Sequence, residues 1–165
     1  MRQKKKVLAV ILTGIPVLTL MIMIFYFSAQ EAAASERASG GIVGRVIALL
    51  YPHFVELSAE EQAQIEHILA LLIRKSAHLT EYLLLGAALM AHVRAIDSCR
   101  RLKHPKLIAF LIGTVYAASD ELHQLFVPGR SGELTDTMLD GLGVLLGVLL
   151  LSILLNRRRK RRTEA

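Results

Sequence analysis

The sequence predicts an all-α integral membrane protein: a four-transmembrane-helix bundle with two short amphipathic outer-surface helices between the first and second spans. Three observations carry that expectation. Of the 165 residues, 53% are apolar and mean hydropathy is +0.46, too apolar for an ordinary soluble domain. The apolar residues gather in four dense blocks rather than at amphipathic spacing, each about as long as a helix needs to cross about 30 Å of hydrocarbon. The charges, a formal +6 in total, are segregated between the segments that join those blocks.

The first span, 7–27, follows the basic lead Arg2, Lys4, Lys5, Lys6 and is interrupted only by Thr13, Gly14, Pro16, Thr19 and Tyr26. It exceeds the 7–15 residues of a cleavable leader's apolar core, so it reads as a retained anchor. An outer segment, 28–75, follows. Within it Ile42, Val43, Val46, Ile47, Leu49 and Leu50 recur at helical spacing until Tyr51-Pro52 interrupts them. Ser58 with Glu61 forms a capping box that starts a second amphipathic helix, whose apolar face is Ile65, Ile68, Leu69, Leu72 and Ile73. Both helices are expected to lie on the membrane surface.

The second span is 76–93, the third 107–126 and the fourth 137–155, with a basic tail at 156–165. The loop between the second and third holds Arg94, Arg100, Arg101, Lys103 and Lys106; the tail holds Arg157, Arg158, Arg159, Lys160, Arg161 and Arg162. With the N-terminal lead, fifteen basic residues and only Asp97 and Glu164 lie on one side, a formal +13. Five basic and twelve acidic residues lie on the other, a formal −7. The positive-inside rule therefore puts both termini in the cytoplasm. The basicity is a topology signal and no nucleic acid is expected as a partner. The tail reads as a stop-transfer anchor, with anionic-lipid recognition as the sharper alternative. The lone Cys99 has no internal disulfide partner. The whole chain, 1–165, reads as one domain.

Ionisable residues inside spans cost about 2.5–3.5 kcal/mol each on insertion scales, so their position is informative. They cluster at one depth. Arg74, Lys75, Ser76, His78, Glu81 and Tyr82 open the second span; Tyr116, Ser119, Asp120, Glu121, His123 and Gln124 close the third; Asp136 and Asp140 open the fourth after the turn Val127-Pro128-Gly129-Arg130-Ser131-Gly132. Arg74, His78 and Glu81 share a helix face, as do Asp120, His123 and Gln124, and Asp136 and Asp140. A common pocket in the outer leaflet follows, with Arg74, Lys75, His78, Glu81, Asp120, Glu121, His123, Gln124, Arg130, Asp136 and Asp140 as its ligand-binding candidates. Tyr82 and Tyr116 read as packing aromatics, and His53, His67, His92 and His104 as surface residues. Ser28 and Gln30 either cap the first span or reach the pocket. The inner halves, 83–91, 107–115 and 141–151, hold no ionisable side chain, which argues against a proton-coupled carrier or channel. Gly143-x-x-x-Gly147, with Gly141 nearby, is a close-packing signal that fits either a homodimer seam or, more simply, packing inside the bundle. Gly113 with Ala117 and Ala87 with Ala91 offer matching smooth faces.

The residues resemble the VanZ-like family of small bacterial multi-pass membrane proteins. The resemblance runs through Phe25-Tyr26-Phe27-Ser28-Ala29-Gln30, Arg74-Lys75-Ser76-Ala77-His78-Leu79-Thr80-Glu81-Tyr82 and Tyr116-Ala117-Ala118-Ser119-Asp120-Glu121-Leu122-His123-Gln124. It continues through Phe126-Val127-Pro128-Gly129-Arg130 and Asp136 to Asp140-Gly141-x-Gly143. The resemblance implies a membrane protein associated, in the founding member, with tolerance of teicoplanin-like glycopeptides, and no established reaction. The outer segment between Ser39 and Ile73 carries no matching motif.

Three readings of the polar cluster remain open at this point. The first is a binding site for a membrane lipid, a lipid-linked cell-wall precursor or another envelope glycan, with Arg74, Lys75 and Arg130 on phosphate and the carboxylates and Gln124 on hydroxyls. The excess of acid over base nearby counts against a purely anionic ligand. The second is an enzyme acting on lipid head groups: His78-x-x-Glu81 and Asp120-x-x-His123 place N and O donors one turn apart, as metal ligands or as a general base beside a carboxylate. No specific catalytic signature accompanies them. The third is a structural ion-pair network, with Arg74–Glu81 or Arg130–Asp136 as its pairs.

Overall fold

The computed structural model describes residues 2–100, 102–130 and 134–163. Arg101, Ser131, Gly132 and Glu164 lie outside the described residues, as do the side chains of Cys99, Arg100, Arg158, Arg159 and Arg162. Helix α1 is Arg2–Ser28, α2 Ala32–Leu50, α3 Ala59–Arg100, α4 Pro105–Gln124 and α5 Leu134–Thr163, with a 3-10 turn at Phe54–Glu56. The all-α expectation holds for the described residues.

Among the described residues, three stretches are long and apolar enough to cross a membrane: Gln3–Ser28, Ala59–Asp97 and Leu134–Arg157. Helix α4, on the third of the four expected blocks, falls short of that measure of apolarity. Helix α4 has 20 residues, but its last turns carry Ser119, Asp120, Glu121, His123 and Gln124, which dilute its apolar content. It turns a stripe made of Ala109, Gly113, Ala117, Asp120, Glu121 and Gln124 inward against the other helices.

The outer segment also differs from expectation. Its second amphipathic helix is not separate, because α3 runs unbroken for 42 residues, about 63 Å at 1.5 Å per residue. No Gly or Pro falls between Ser58 and Gly86, so nothing in the backbone chemistry ends the helix at the start of the span. The capping box forms as expected: the Ser58 backbone N–H donates to Glu61 Oε2 at 2.9 Å and the Glu61 N–H to Ser58 Oγ at 3.3 Å. Helix α2 stops at Leu50, with Tyr51 at its C-cap and Pro52 behind, and buries Val43 and Ile47. It packs against α3, with Gly40, Val43 and Gly44 sharing a groove with Ala63, Glu66, His67 and Ala70, so the two helices form a hairpin.

Cross-helix contacts give the direction of each helix. Ser28 meets Asp120, the Tyr116 hydroxyl reaches the Met21 carbonyl and Thr13 meets His92, so α1 and α4 run one way and α3 the other. Gly143 packs on Leu79 and Gly147 on Leu83, which sets α5 parallel to α3. The contact is a backbone-to-backbone one. A Cβ on Gly147 would lie 2.0 Å from the Leu83 carbonyl oxygen, and one on Gly86 2.3 Å from the Val144 oxygen. Gly143 and Gly147 pack against α3 within the chain, the simpler of the two readings open for them. Around this seam the core gathers Val17 and Ile24 of α1, Leu85, Leu89, Met90 and Val93 of α3, Ala109 and Ala117 of α4, and Val144 and Val148 of α5.

One histidine moves from surface to interior. The His92 ring packs on α1, its Nδ1 3.1 Å from Thr13 Oγ1 and its Cε1 3.3 Å from where a Cβ on Gly14 would stand. The surface expectation rested on its distance from the polar cluster, although it falls within the span 76–93. His53, by contrast, is exposed and paired with Glu56 at 3.1 Å.

Candidate functional site

At the end of the bundle where α1 and α4 finish and α5 begins, three helices contribute polar side chains at matching depth. The turn after α4 delivers a fourth contributor. Gly129 adopts a φ of 75°, a left-handed conformation that disfavours a side chain, and it aims Arg130 back over the helix ends.

The upper layer is a cavity of about 210 Å³ lined by Leu71, Arg74, Lys75, Gln124, Gly129, Arg130 and Asp136. Lys75 is ion-paired with Asp136, at side-chain exposures of 38% and 27%. Arg130 donates from Nε to the Gln30 carbonyl at 2.9 Å, from Nη2 to the Phe27 carbonyl at 3.1 Å and from Nη1 to Gln124 Oε1 at 3.2 Å. Burial, and then the charge of Arg74, push its guanidinium below the ordinary Arg range, which still leaves it charged. Arg74 is half-buried at the cavity wall and, among the described residues, enters no hydrogen bond or ion pair. The expected pairs Arg74–Glu81 and Arg130–Asp136 are thus replaced. Lys75 takes Asp136, and Arg130 spends its donors on Gln124 and on two carbonyls at the end of α1.

The lower layer lies one helical turn deeper on the same helices. Asp120 stands four residues before Gln124, His78 four after Arg74, and Asp140 four after Asp136. Ser28 Oγ, 1% exposed, donates to Asp120 Oδ2 at 2.7 Å, and Gln124 Nε2 donates to Asp120 Oδ2 at 3.3 Å and to Glu121 Oε1 at 3.1 Å. Asp140 is 1% exposed and Asp120 2%. Both Asp140 oxygens, Asp120 Oδ1 and the Tyr82 hydroxyl are buried without a hydrogen-bond partner among the described residues. His78 Nδ1 is 3.8 Å from Asp140 Oδ2, beyond hydrogen-bond reach. With His neutral, the two layers together hold three cations, Arg74, Lys75 and Arg130, against five carboxylates, Glu81, Asp120, Glu121, Asp136 and Asp140.

Among the described residues no three of His, Cys, Asp or Glu are grouped to hold a metal ion. His123 stacks on Phe25 with ring centroids 4.6 Å apart, and His78 faces Asp140 rather than Glu81. The helical i, i+3 spacing that suggested both pairs fixes neighbours on one helix, while the packing decides which neighbour a third helix meets.

Three participants come from the end of α1 and the residues just after it. Ser28 reaches the site from α1 and supplies Asp120 with its shortest hydrogen bond, so of the two readings open for it the pocket is the right one. Phe27 and Gln30 enter through backbone carbonyls, for which no side-chain pattern exists. Tyr82 is fully buried, 6.3 Å from the Tyr116 ring, in the packing role expected of both tyrosines.

No curated protein and no solved structure matches the chain significantly. A family model described as VanZ/LLP1 matches residues 14–155, which takes in α1 from its middle, every helix that builds the site and the turn that carries Arg130. A match over that much of the sequence, agreeing with the motifs at Ser28, Arg74 to Tyr82, Tyr116 to Gln124 and Asp136 to Gly143, means that the chain belongs to the VanZ/LLP1 family.

Proposed function

We propose that the protein is a membrane-embedded binding protein whose polar pocket receives the phosphate-bearing head group of a cell-envelope lipid or lipid-linked glycan. The observation that carries this reading is Arg74: a half-buried guanidinium at the wall of a 210 Å³ cavity, with no partner among the described residues and with Lys75 and Arg130 beside it. An unpaired cation held in such a place is costly unless an anion visits, and a guanidinium matches phosphate with two parallel N–H donors. With both termini in the cytoplasm, as the charge segregation favours, the pocket opens at the outer leaflet, and α4 completes a fourth span against α3 and α5. A pocket at that depth takes a head group from the side while its tails stay in lipid. Altered exposure of wall precursors to glycopeptides such as teicoplanin would be one consequence of such binding.

A structural reading has its own support in the chain of bonds Ser28–Asp120–Gln124–Arg130, which ties the end of α1 to α4. The two readings separate at Arg74, which belongs to the cavity and not to that chain. Native mass spectrometry of the protein released gently from bacterial membranes should show a retained phosphate-bearing species that Arg74→Gln removes, while the melting temperature stays within a degree or two of wild type. A variant that keeps the same bound species, or loses stability in step with binding, would refute the binding reading.

A further inference from the structure

The surplus of acid beneath the cavity points to a second charge on the ligand. Resting on the binding reading above, we infer that the pocket takes a zwitterionic phospho-amine head group, with phosphate on Arg74 and Lys75 and a protonated amine passing His78 to Asp140 and Asp120. Each of the three helices that line the cavity carries a polar residue one turn deeper, Arg74 and His78, Gln124 and Asp120, Asp136 and Asp140, and on two of them that residue is a carboxylate. One turn is about 5.4 Å, the reach of a phosphate and an amine joined by a short carbon bridge.

The deeper carboxylates ask for a cation that the protein does not supply. Asp140 is 1% exposed with neither oxygen hydrogen-bonded, and Asp120 is 2% exposed with Oδ1 unpartnered. Buried carboxylates normally recruit an Arg, a Lys or several N–H donors. Here the nearby cations are committed or turned upward: Lys75 to Asp136, Arg130 to Gln124 and the end of α1, Arg74 to the cavity. His78 stands between the layers, its side chain 18% exposed and its Nδ1 3.8 Å from Asp140 Oδ2, a gap left open by a ring that is near the carboxylate without bonding to it. Two charges of opposite sign, layered in this order, select against a plain anionic lipid and against a lipid whose nitrogen cannot donate a hydrogen bond.

The test is a lipid competition on purified full-length protein, with native mass spectrometry reading which lipid is retained from vesicles containing phosphatidylethanolamine, its N-acetylated form and phosphatidylglycerol in equal amounts. A charged amine on a buried carboxylate should favour phosphatidylethanolamine over the N-acetylated form by about tenfold or more, and Asp140→Asn should bring the ratio close to one. Equal retention of all three lipids, all lost in Arg74→Gln, would overturn the amine site and leave the phosphate pocket standing. Retention of none above the detergent control would overturn both. If Asp140→Asn does not fold, the wild-type ratio between amine and blocked amine still decides. Soluble glycerophosphoethanolamine in a parallel arm separates the sources: displacement of the lipid at equal concentration supports the phospho-amine site with a free ligand, and displacement only in large excess supports it with a membrane-borne one.

Discussion

Replacing Gly147 by Ala adds one carbon where α5 rides on α3, and that carbon has nowhere to go. It would lie 2.0 Å from the Leu83 carbonyl oxygen and 2.7 Å from the Ala87 nitrogen, whereas ordinary contact begins at 3.4 Å, so the helices must part by about 1.4 Å. The clashing atoms are backbone, so no side chain can rotate aside. Overpacking of this kind costs about 1–3 kcal/mol, and a rigid backbone neighbour places it in the upper part of that range. The gain in helix propensity, about 0.8–1.0 kcal/mol, offsets only part. At about 2–4 °C per kcal/mol for a chain of this size, the melting temperature in detergent should fall by roughly 2–8 °C. Gly40→Ala is the internal control. Its Cβ meets nothing within 4 Å, so the same chemical change should leave stability equal or raise it by up to about 1 kcal/mol. Paired thermal unfolding of the two variants checks the sign. A Gly147→Ala protein as stable as wild type would mean that α3 and α5 do not touch as described.

Three further outcomes follow from other contacts. Ser28→Ala removes the 2.7 Å bond to Asp120 in a buried place and should lower stability by about 1–3 kcal/mol in thermal unfolding, with Ser28→Thr recovering part of it. A double-mutant cycle on Lys75→Gln and Asp136→Asn should return a coupling of about 0.2–1 kcal/mol, because both partners are partly solvated; a coupling above about 3 kcal/mol would contradict that exposure. A membrane-impermeant thiol reagent should label Cys99 only after cells are opened, and labelling of intact cells would reverse the orientation drawn from the charge segregation.

Much of the fold was legible because in a membrane protein the pattern is coarse. Apolar length set the helices, Pro52 and the turn around Pro128 marked breaks between them, and Ser58 with Glu61 marked a helix start to the residue. The depth of the site was legible for the same reason, since ionisable residues crowd only one end of each span. What the pattern hid was register between helices. Arg74 and Glu81 are two turns apart on one face and looked like partners, yet Lys75, rotated by one residue, is the cation that meets Asp136 on α5. The continuity of α3 was visible in its lack of Gly and Pro, but a bilayer-length expectation divided it. His92 escaped notice because Thr13 and Gly14, the residues that receive it, lie on another helix seventy-nine positions away by the hydrogen bond they form.

The polar contacts also explain why the site sits where it does. Helix α1 exposes Ile11, Ile15, Leu18 and Ile22, each more than half accessible, so little of its apolar surface is used inside the protein. In lipid that surface gives no drive to pack, and hydrogen bonds must hold the helix instead. They are spaced along its length: Thr13 to His92, the Met21 carbonyl to Tyr116, Ser28 to Asp120, and the Phe27 and Gln30 carbonyls to Arg130. The last three lie in the site itself. Asp120 and Arg130 therefore act both as site residues and as the latch of α1, and substituting either one changes the pocket and its frame together. Arg74 has no part in the latch, so its loss reads binding alone, and the contrast between Arg74→Gln and Arg130→Gln measures how much of the cluster exists for the ligand and how much for the helix.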